Sequence, residues 1–139
     1  MAQGAKADGD TATFADGFFT LHYSAKTKVD GSNKTFADGY TATQRVSMGG
    51  KTSIGGTVKN AIEFTTDEAA TVTIWWVCGG DGREIEIFDA SGNVIHTSSE
   101  GCVKNSLYIT TFELSEGGTY YIGCSKDSNY YFKVEVTTA

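Results

Sequence analysis

Ala70-Thr71-Val72-Thr73-Ile74-Trp75-Trp76-Val77-Cys78 is the stretch on which the fold turns. It is β-branched and aromatic throughout, and strand geometry puts Val72, Ile74, Trp76 and Cys78 on one face and Thr71, Thr73, Trp75 and Val77 on the other. Trp76 then belongs to the core. Trp75 points outward, where its indole either stacks on the apolar face of a sugar ring or packs beneath a loop or second sheet; packing is the commoner fate of so large a ring.

Segments of the same kind lie on both sides, at 18–23, 34–36, 41–48, 61–65, 84–89, 94–98, 106–114, 119–124 and 130–137, separated by Gly, Asp, Asn and Ser clusters. No stretch has a helical period. The pattern predicts an all-β chain folded as an antiparallel β-sandwich or jelly roll. Ile85, Ile87, Tyr120, Ile122, Phe132, Val134 and Val136 are expected in the core beside the Trp76 face. Thr13-Phe14-Ala15-Asp16-Gly17-Phe18 recurs as Thr35-Phe36-Ala37-Asp38-Gly39-Tyr40, which reads as two similar Asp-Gly turns. Two copies are too few for a solenoid.

With 139 residues, 40% of them hydrophobic, and no apolar run near the ~20 residues of a membrane span, the chain suits one soluble domain. Residues 1–12 read as a disordered segment and 13–139 as the single domain, a monomer. Met1 runs into the polar stretch 2–10 with no apolar leader, so the N-terminus reads as a cut from something larger. The net charge of −6 and the lack of a basic run exclude general nucleic-acid affinity. Any anion must be caught locally.

If each strand crosses the sandwich and its successor returns, the connections alternate between two ends, and the ends separate by charge. One end receives 24–33, 49–60, 79–83, 99–105 and 125–129, with Lys26, Lys28, Lys51, Lys59, Arg83, Lys104 and Lys126. The other receives tight turns around Asp38, Asp67, Glu68, Asp89 and Glu116, with no Lys or Arg. Long loops on a rigid scaffold are where binding residues collect, which marks the basic end as an address for an anionic ligand. Solvated lysines also favour loops, so an incidental distribution is the plain alternative.

Other chemistry is sparse. Glu84 and Glu86 share a strand face about 7 Å apart, a superficial likeness to a glycosidase pair, but read as solvated outward residues. His22 and His96 stand alone, without a nucleophile or a second histidine at ligand spacing. No phosphate loop, dinucleotide fingerprint or nucleophile elbow occurs. The turn Val29-Asp30-Gly31-Ser32-Asn33 does not match a calcium loop, and no cofactor or metal is expected. Of three cysteines, all placed at the basic end by the strand count, Cys78 and Cys102 are the first choice for a disulfide; a three-thiolate metal site with Cys124 is the alternative.

From about residue 18 to 136 the order of segments is familiar. It includes Ala70-Thr71-Val72-Thr73-Ile74, Gly82-Arg83-Glu84-Ile85-Glu86-Ile87-Phe88-Asp89-Ala90-Ser91-Gly92-Asn93, Phe112-Glu113-Leu114-Ser115-Glu116-Gly117-Gly118-Thr119-Tyr120-Tyr121-Ile122-Gly123 and Tyr131-Phe132-Lys133-Val134-Glu135-Val136. It resembles the small β-sandwich modules appended to bacterial pectate lyases, and among these the family 77 carbohydrate-binding modules. The resemblance implies a non-catalytic module in a secreted enzyme, covalently linked to its catalytic domain, that binds acidic polysaccharide (pectin, as low-methyl-ester homogalacturonan) through basic side chains without required calcium. Arg83 carries over from the matching motif. Together with the charge count this makes Arg83, Lys51, Lys104 and Lys126 the leading contacts, Lys26, Lys28 and Lys59 a second group, and Trp75 and Tyr130 candidate stacking platforms. The alternatives are a module that binds a neutral glycan through those aromatics, and a structural or adhesion domain without a sugar site.

Overall fold

The computed structural model describes residues 7–98 and 101–138. They form an antiparallel β-sandwich. One sheet runs in the order β1 (Thr11–Phe14), β2 (Phe19–His22), β5 (Ala61–Thr66), β10 (Gly118–Gly123), β7 (Glu86–Phe88), β8 (Val94–Thr97). The other runs β3 (Lys28–Thr35), β4 (Thr41–Ser47), β11 (Tyr130–Thr138), β6 (Ala70–Val77), β9 (Leu107–Leu114).

Every strand pairing is antiparallel. Successive strands therefore run in opposite directions, and the connections alternate between two ends. Segments 23–27, 48–60, 78–85, 101–106 and 124–129 meet at one end, and the tight turns 15–18, 67–69, 89–93 and 115–117 lie at the other; the turn 36–40 with Asp38, expected there too, instead folds over the outer face of β6 against Trp75. Between the sheets lie Leu21, Ile62, Phe64, Val72, Ile74, Trp76, Cys78, Ile85, Ile87, Tyr120 and Ile122, all buried. Trp76 keeps its polar atom satisfied by donating from Nε1 to Thr110 Oγ1 at 2.9 Å.

Four further expectations need correction. Residues 1–12 are not all outside the fold: Thr11 and Ala12 begin β1, Ala12 and Phe14 pack against the core, and Gly9 N donates to Tyr23 O at 2.9 Å. Residues 1–6 of that segment lie outside the described residues. The presumptive turn at 29–33 is part of β3, paired with β4, because Val29 is buried in the core while a register shift between Gly31 and Lys34 absorbs the turn-forming residues. The basic connection there is thus 23–27, and Lys28 opens a strand.

The third concerns Phe132. A register shift between Tyr131 and Lys133 inserts it as an extra residue, so Tyr131 faces the core opposite Trp76 while Phe132 joins an outer cluster with Phe36, Ala42, Trp75 and Val77. The fourth concerns the twin turns, which differ. In the first, Ala15, Asp16 and Gly17 all have positive φ, at 52°, 57° and 87°; in the second only Gly39 does, at 91°. The second hairpin closes with Phe36 N donating to Tyr40 O at 2.8 Å, and its turn lies over the outer face of β6.

Candidate functional site

The loop end is built around two centres. The first is Asn60, which sits at φ 55°, a backbone region Asn tolerates better than most residues, immediately before β5. It is 3% exposed. Its Oδ1 accepts from Thr27 Oγ1 and, at 3.1 Å, from Gly49 N, and its Nδ2 donates to Lys51 O at 3.0 Å. Thr52 Oγ1 donates to Asn60 O and accepts from Cys124 N at 2.9 Å. One neutral network, buried at Asn60 and Thr27 and half-buried at Thr52, thus joins segments 23–27, 48–60 and 124–129. Gly49 is required for the approach, since a Cβ there would lie 2.5 Å from the Lys26 carbonyl carbon. Lys26 and Lys51, on the segments so joined, are exposed and form no ion pair among the described residues.

The second centre is the disulfide between Cys78 and Cys102, with Cα atoms 5.8 Å apart. It ties the end of β6 to segment 101–106, and Cys102 N donates to Arg83 O at 2.8 Å. Here the cations are engaged. Arg83 donates through Nη1 to Ser128 O, and its Nη2 lies 3.6 Å from Asp127 Oδ2. Lys126 Nζ donates to Gly82 O at 3.0 Å and pairs with Glu84, whose hydrogen bond raises the lysine pKa above its ordinary value. Lys104 differs: its backbone N donates to Asp81 Oδ1 at 2.7 Å, while its side chain is exposed without an ion pair among the described residues. Cys124, the remaining cysteine, is a buried free thiol.

The remaining candidates are less open than the sequence suggests. Lys28 lies 3.7 Å from Asp30, and Lys59 lies 3.9 Å from Asp8. Trp75 is on the outward face of β6 yet only 5% exposed. The turn of the second Asp-Gly copy covers it: Trp75 Nε1 donates to Asp38 Oδ2 at 2.9 Å, and Lys133 Nζ stands 4.6 Å from the ring centroid. The hydrogen bond from Tyr40 N, and after it the one from Trp75, holds the Asp38 carboxyl below the usual carboxylate range. Tyr130 is half-buried, with the Arg45 guanidinium 4.2 Å over its ring. Neither aromatic offers a free stacking platform.

Glu84 and Glu86 are not solvated outward residues. Glu84 holds Lys126, and Glu86, 8% exposed, accepts from Ser125 N at 2.6 Å. Both carboxylates position segment 124–129. His22 bonds Glu63 at 2.7 Å and His96 stacks on Phe112, neither with a nucleophile. Among the described residues no group of three or more His, Cys, Asp or Glu side chains could hold a metal ion. The Asn60 network was missed from sequence; its one visible signal is an Asn directly before a strand, a position where a positive φ is expected of it.

No family model matches the chain, and no curated protein sequence matches it. Among the solved structures that match is the crystal structure of the C-terminal CBM6 of LamC, a marine laminarinase from Zobellia galactanivorans. That likeness covers 79% of this chain and 90% of the other, at 10% identity and a TM-score of 0.42. It is a likeness of general outline, and no functional step below rests on it.

Proposed function

We propose that the chain is a non-catalytic carbohydrate-binding module that recognises acidic plant cell-wall polysaccharide, low-methyl-ester homogalacturonan, at the loop end, as part of a larger secreted bacterial enzyme. The observation that carries this is the contrast in availability between charges and rings. Lys26, Lys51 and Lys104 are exposed and unspent among the described residues, while Trp75 and Tyr130 are covered. A neutral glycan held by stacking needs an open ring. A polygalacturonate needs separated cations for the carboxylate on each sugar, and that is what remains on this surface. Each exposed pair contributes only ~0–1 kcal/mol, so several must act together, and screening by salt weakens all of them.

The test is calorimetric titration with low-methyl-ester homogalacturonan, with a chelator present, at low and high salt. Binding is expected at low salt, weaker at high salt and indifferent to chelator. Lys51→Ala should lower affinity by up to about fivefold with an unchanged melting temperature. Absence of binding at low salt, or binding insensitive to both salt and Lys51→Ala, overturns the reading.

A further inference from the structure

We propose a second site, for a small aromatic carboxylate, in the slot where β4 and β11 part. The two strands pair only at Tyr130↔Ser47 and Tyr131↔Val46, next to the loop end. Beyond the extra residue Phe132, β11 continues its ladder with β6 and leaves β4, so the sheet opens along residues 43–45 on one side and 132–134 on the other. The opening leads into a cavity of about 310 Å³ that reaches across to the opposite sheet. This lies at the small end of the ~300–1,000 Å³ typical of ligand pockets, the right scale for a single-ring ligand.

Its walls choose the chemistry. Phe14 and Phe19, stacked on each other at 4.9 Å, line it from β1 and β2, and Tyr131 and Phe132 line it from β11. Ile62, Val46 and Val134 complete an apolar interior. Two cations, Arg45 and Lys133, also line it. Arg45 gives Nε to Asp30, at 2.9 Å, and one face to the Tyr130 ring, at 4.2 Å, but no hydrogen bond occupies its two terminal nitrogens among the described residues, which leaves the edge of the fork for a carboxylate. Lys133 is placed between the Tyr40 and Trp75 rings at 4.5 and 4.6 Å, with Glu135 3.3 Å away. Aromatic walls meet a flat ring in stacked or edge-to-face contact, which an acyl chain does not match, and the cations fix which end faces out. The backbone edge of β4 that faces the slot has no ladder partner there and can hydrogen-bond a ligand's polar substituent.

This site is separate from the loop end, so its test does not depend on the polysaccharide. The full chain, labelled with nitrogen-15, is titrated with trans-cinnamate, cinnamamide and octanoate while backbone amide shifts are followed. Cinnamate should shift the amides of 43–46 and 131–134 and leave those of 48–60 and 101–106 in place. Cinnamamide and octanoate should bind at least tenfold more weakly. Arg45→Gln should weaken cinnamate at least tenfold while retaining the wild-type spectrum elsewhere, and Lys133→Met, should Arg45→Gln fail to fold, should weaken it severalfold. Absence of shifts at millimolar cinnamate, shifts confined to the loop end, or equal binding of octanoate overturns the proposal. A fall of up to about fivefold in galacturonan affinity in Lys51→Ala, with cinnamate binding unchanged, would separate the two sites.

Discussion

The two centres of the loop end solve the same problem, holding long glycine-rich segments still, with different chemistry. Around Asn60 the work is done by neutral groups: an amide, two threonine hydroxyls and backbone atoms, with Asn60 and Thr27 buried and Thr52 and Gly49 half-buried. Around Cys78–Cys102 it is done by a covalent bridge and by charges, with Arg83 on Ser128 O and Asp127 and with Lys126 on Gly82 O and Glu84. The consequence is functional. Where neutral groups hold the loops, Lys26 and Lys51 remain available to a ligand; where charges hold them, Arg83 and Lys126 are already used. A count of positive charge in loops therefore overstates the cations that a polysaccharide can meet.

Breaking the covalent centre should have the largest effect. The bridge spans 24 residues, and the loop-closure entropy it removes from the unfolded chain corresponds to about 3 kcal/mol. A Cys78→Ala, Cys102→Ala double variant, which leaves no new free thiol, should lose about that much in urea denaturation. Galacturonan affinity, which rests on Lys26 and Lys51 as well as on Lys104 of the freed segment, should fall by no more than about fivefold, the share of one exposed pair. An equal collapse of affinity would show that the disulfide side carries the ligand after all.

Asn60→Ala tests the neutral centre and should cost roughly 2–3 kcal/mol. It leaves the buried Thr27 hydroxyl without its acceptor and the Lys51 carbonyl without its donor, while Gly49 N keeps its bond to Thr27 Oγ1 at 3.1 Å, and it puts alanine, which tolerates positive φ less well than Asn, at 55°. Here the order of effects should reverse: affinity should suffer more than in the disulfide variant, because Lys26 and Lys51 ride on the segments released. Urea denaturation and the calorimetric titration read both quantities. A stable variant with unchanged affinity would remove Asn60 as the organiser of the site.

What was legible in the sequence follows from which interactions are local. The alternation through 70–78 and the Ile85/Ile87 pair report core contacts directly, and the turn clusters report strand ends, so the sandwich and its two ends could be read off. Phe132 could not. Its outward turn follows from a shift of β11 against β6, a register event decided by the partner strand, and alternation alone assigns it to the wrong face. Trp75 likewise points outward as its strand dictates, but the segment that covers it, Phe36 to Tyr40, is 35 residues and more away in sequence. The engagement of Arg83 and Lys126 is also tertiary: nothing in the order of residues says that Glu84 and Asp127 will meet them. β1 was lost because four residues with two polar positions give little periodic signal, although Phe14 alone could have drawn attention to it.

The smallest effect expected is electrostatic and belongs to neither centre, which makes it a useful control on both. Asp30 pairs with Arg45 at 2.9 Å and with Lys28 at 3.7 Å, and the Arg45 hydrogen bond is the main cause holding its carboxyl below the ordinary carboxylate range. A carboxyl with a lowered folded-state pKa binds its proton more weakly folded than unfolded. Its contribution to stability is therefore full above the unfolded value of about 3.9 and is lost as pH falls through the lower folded value. Stability measured by urea denaturation should be insensitive to this group at pH 5–8 and should decline below about pH 4. In Asp30→Asn the part of that decline due to the pair should vanish, while stability near neutral pH drops by no more than about 1 kcal/mol, as partly exposed pairs allow. Neither the Lys51 dependence of galacturonan binding nor the effect of removing the disulfide should change in that background, because Asp30 touches neither network. Coupling between Asp30→Asn and Asn60→Ala larger than about 0.5 kcal/mol in a double-mutant cycle would show that the neutral centre leans on the charged residues of β3, and the division between the two ways of holding the loops would fail.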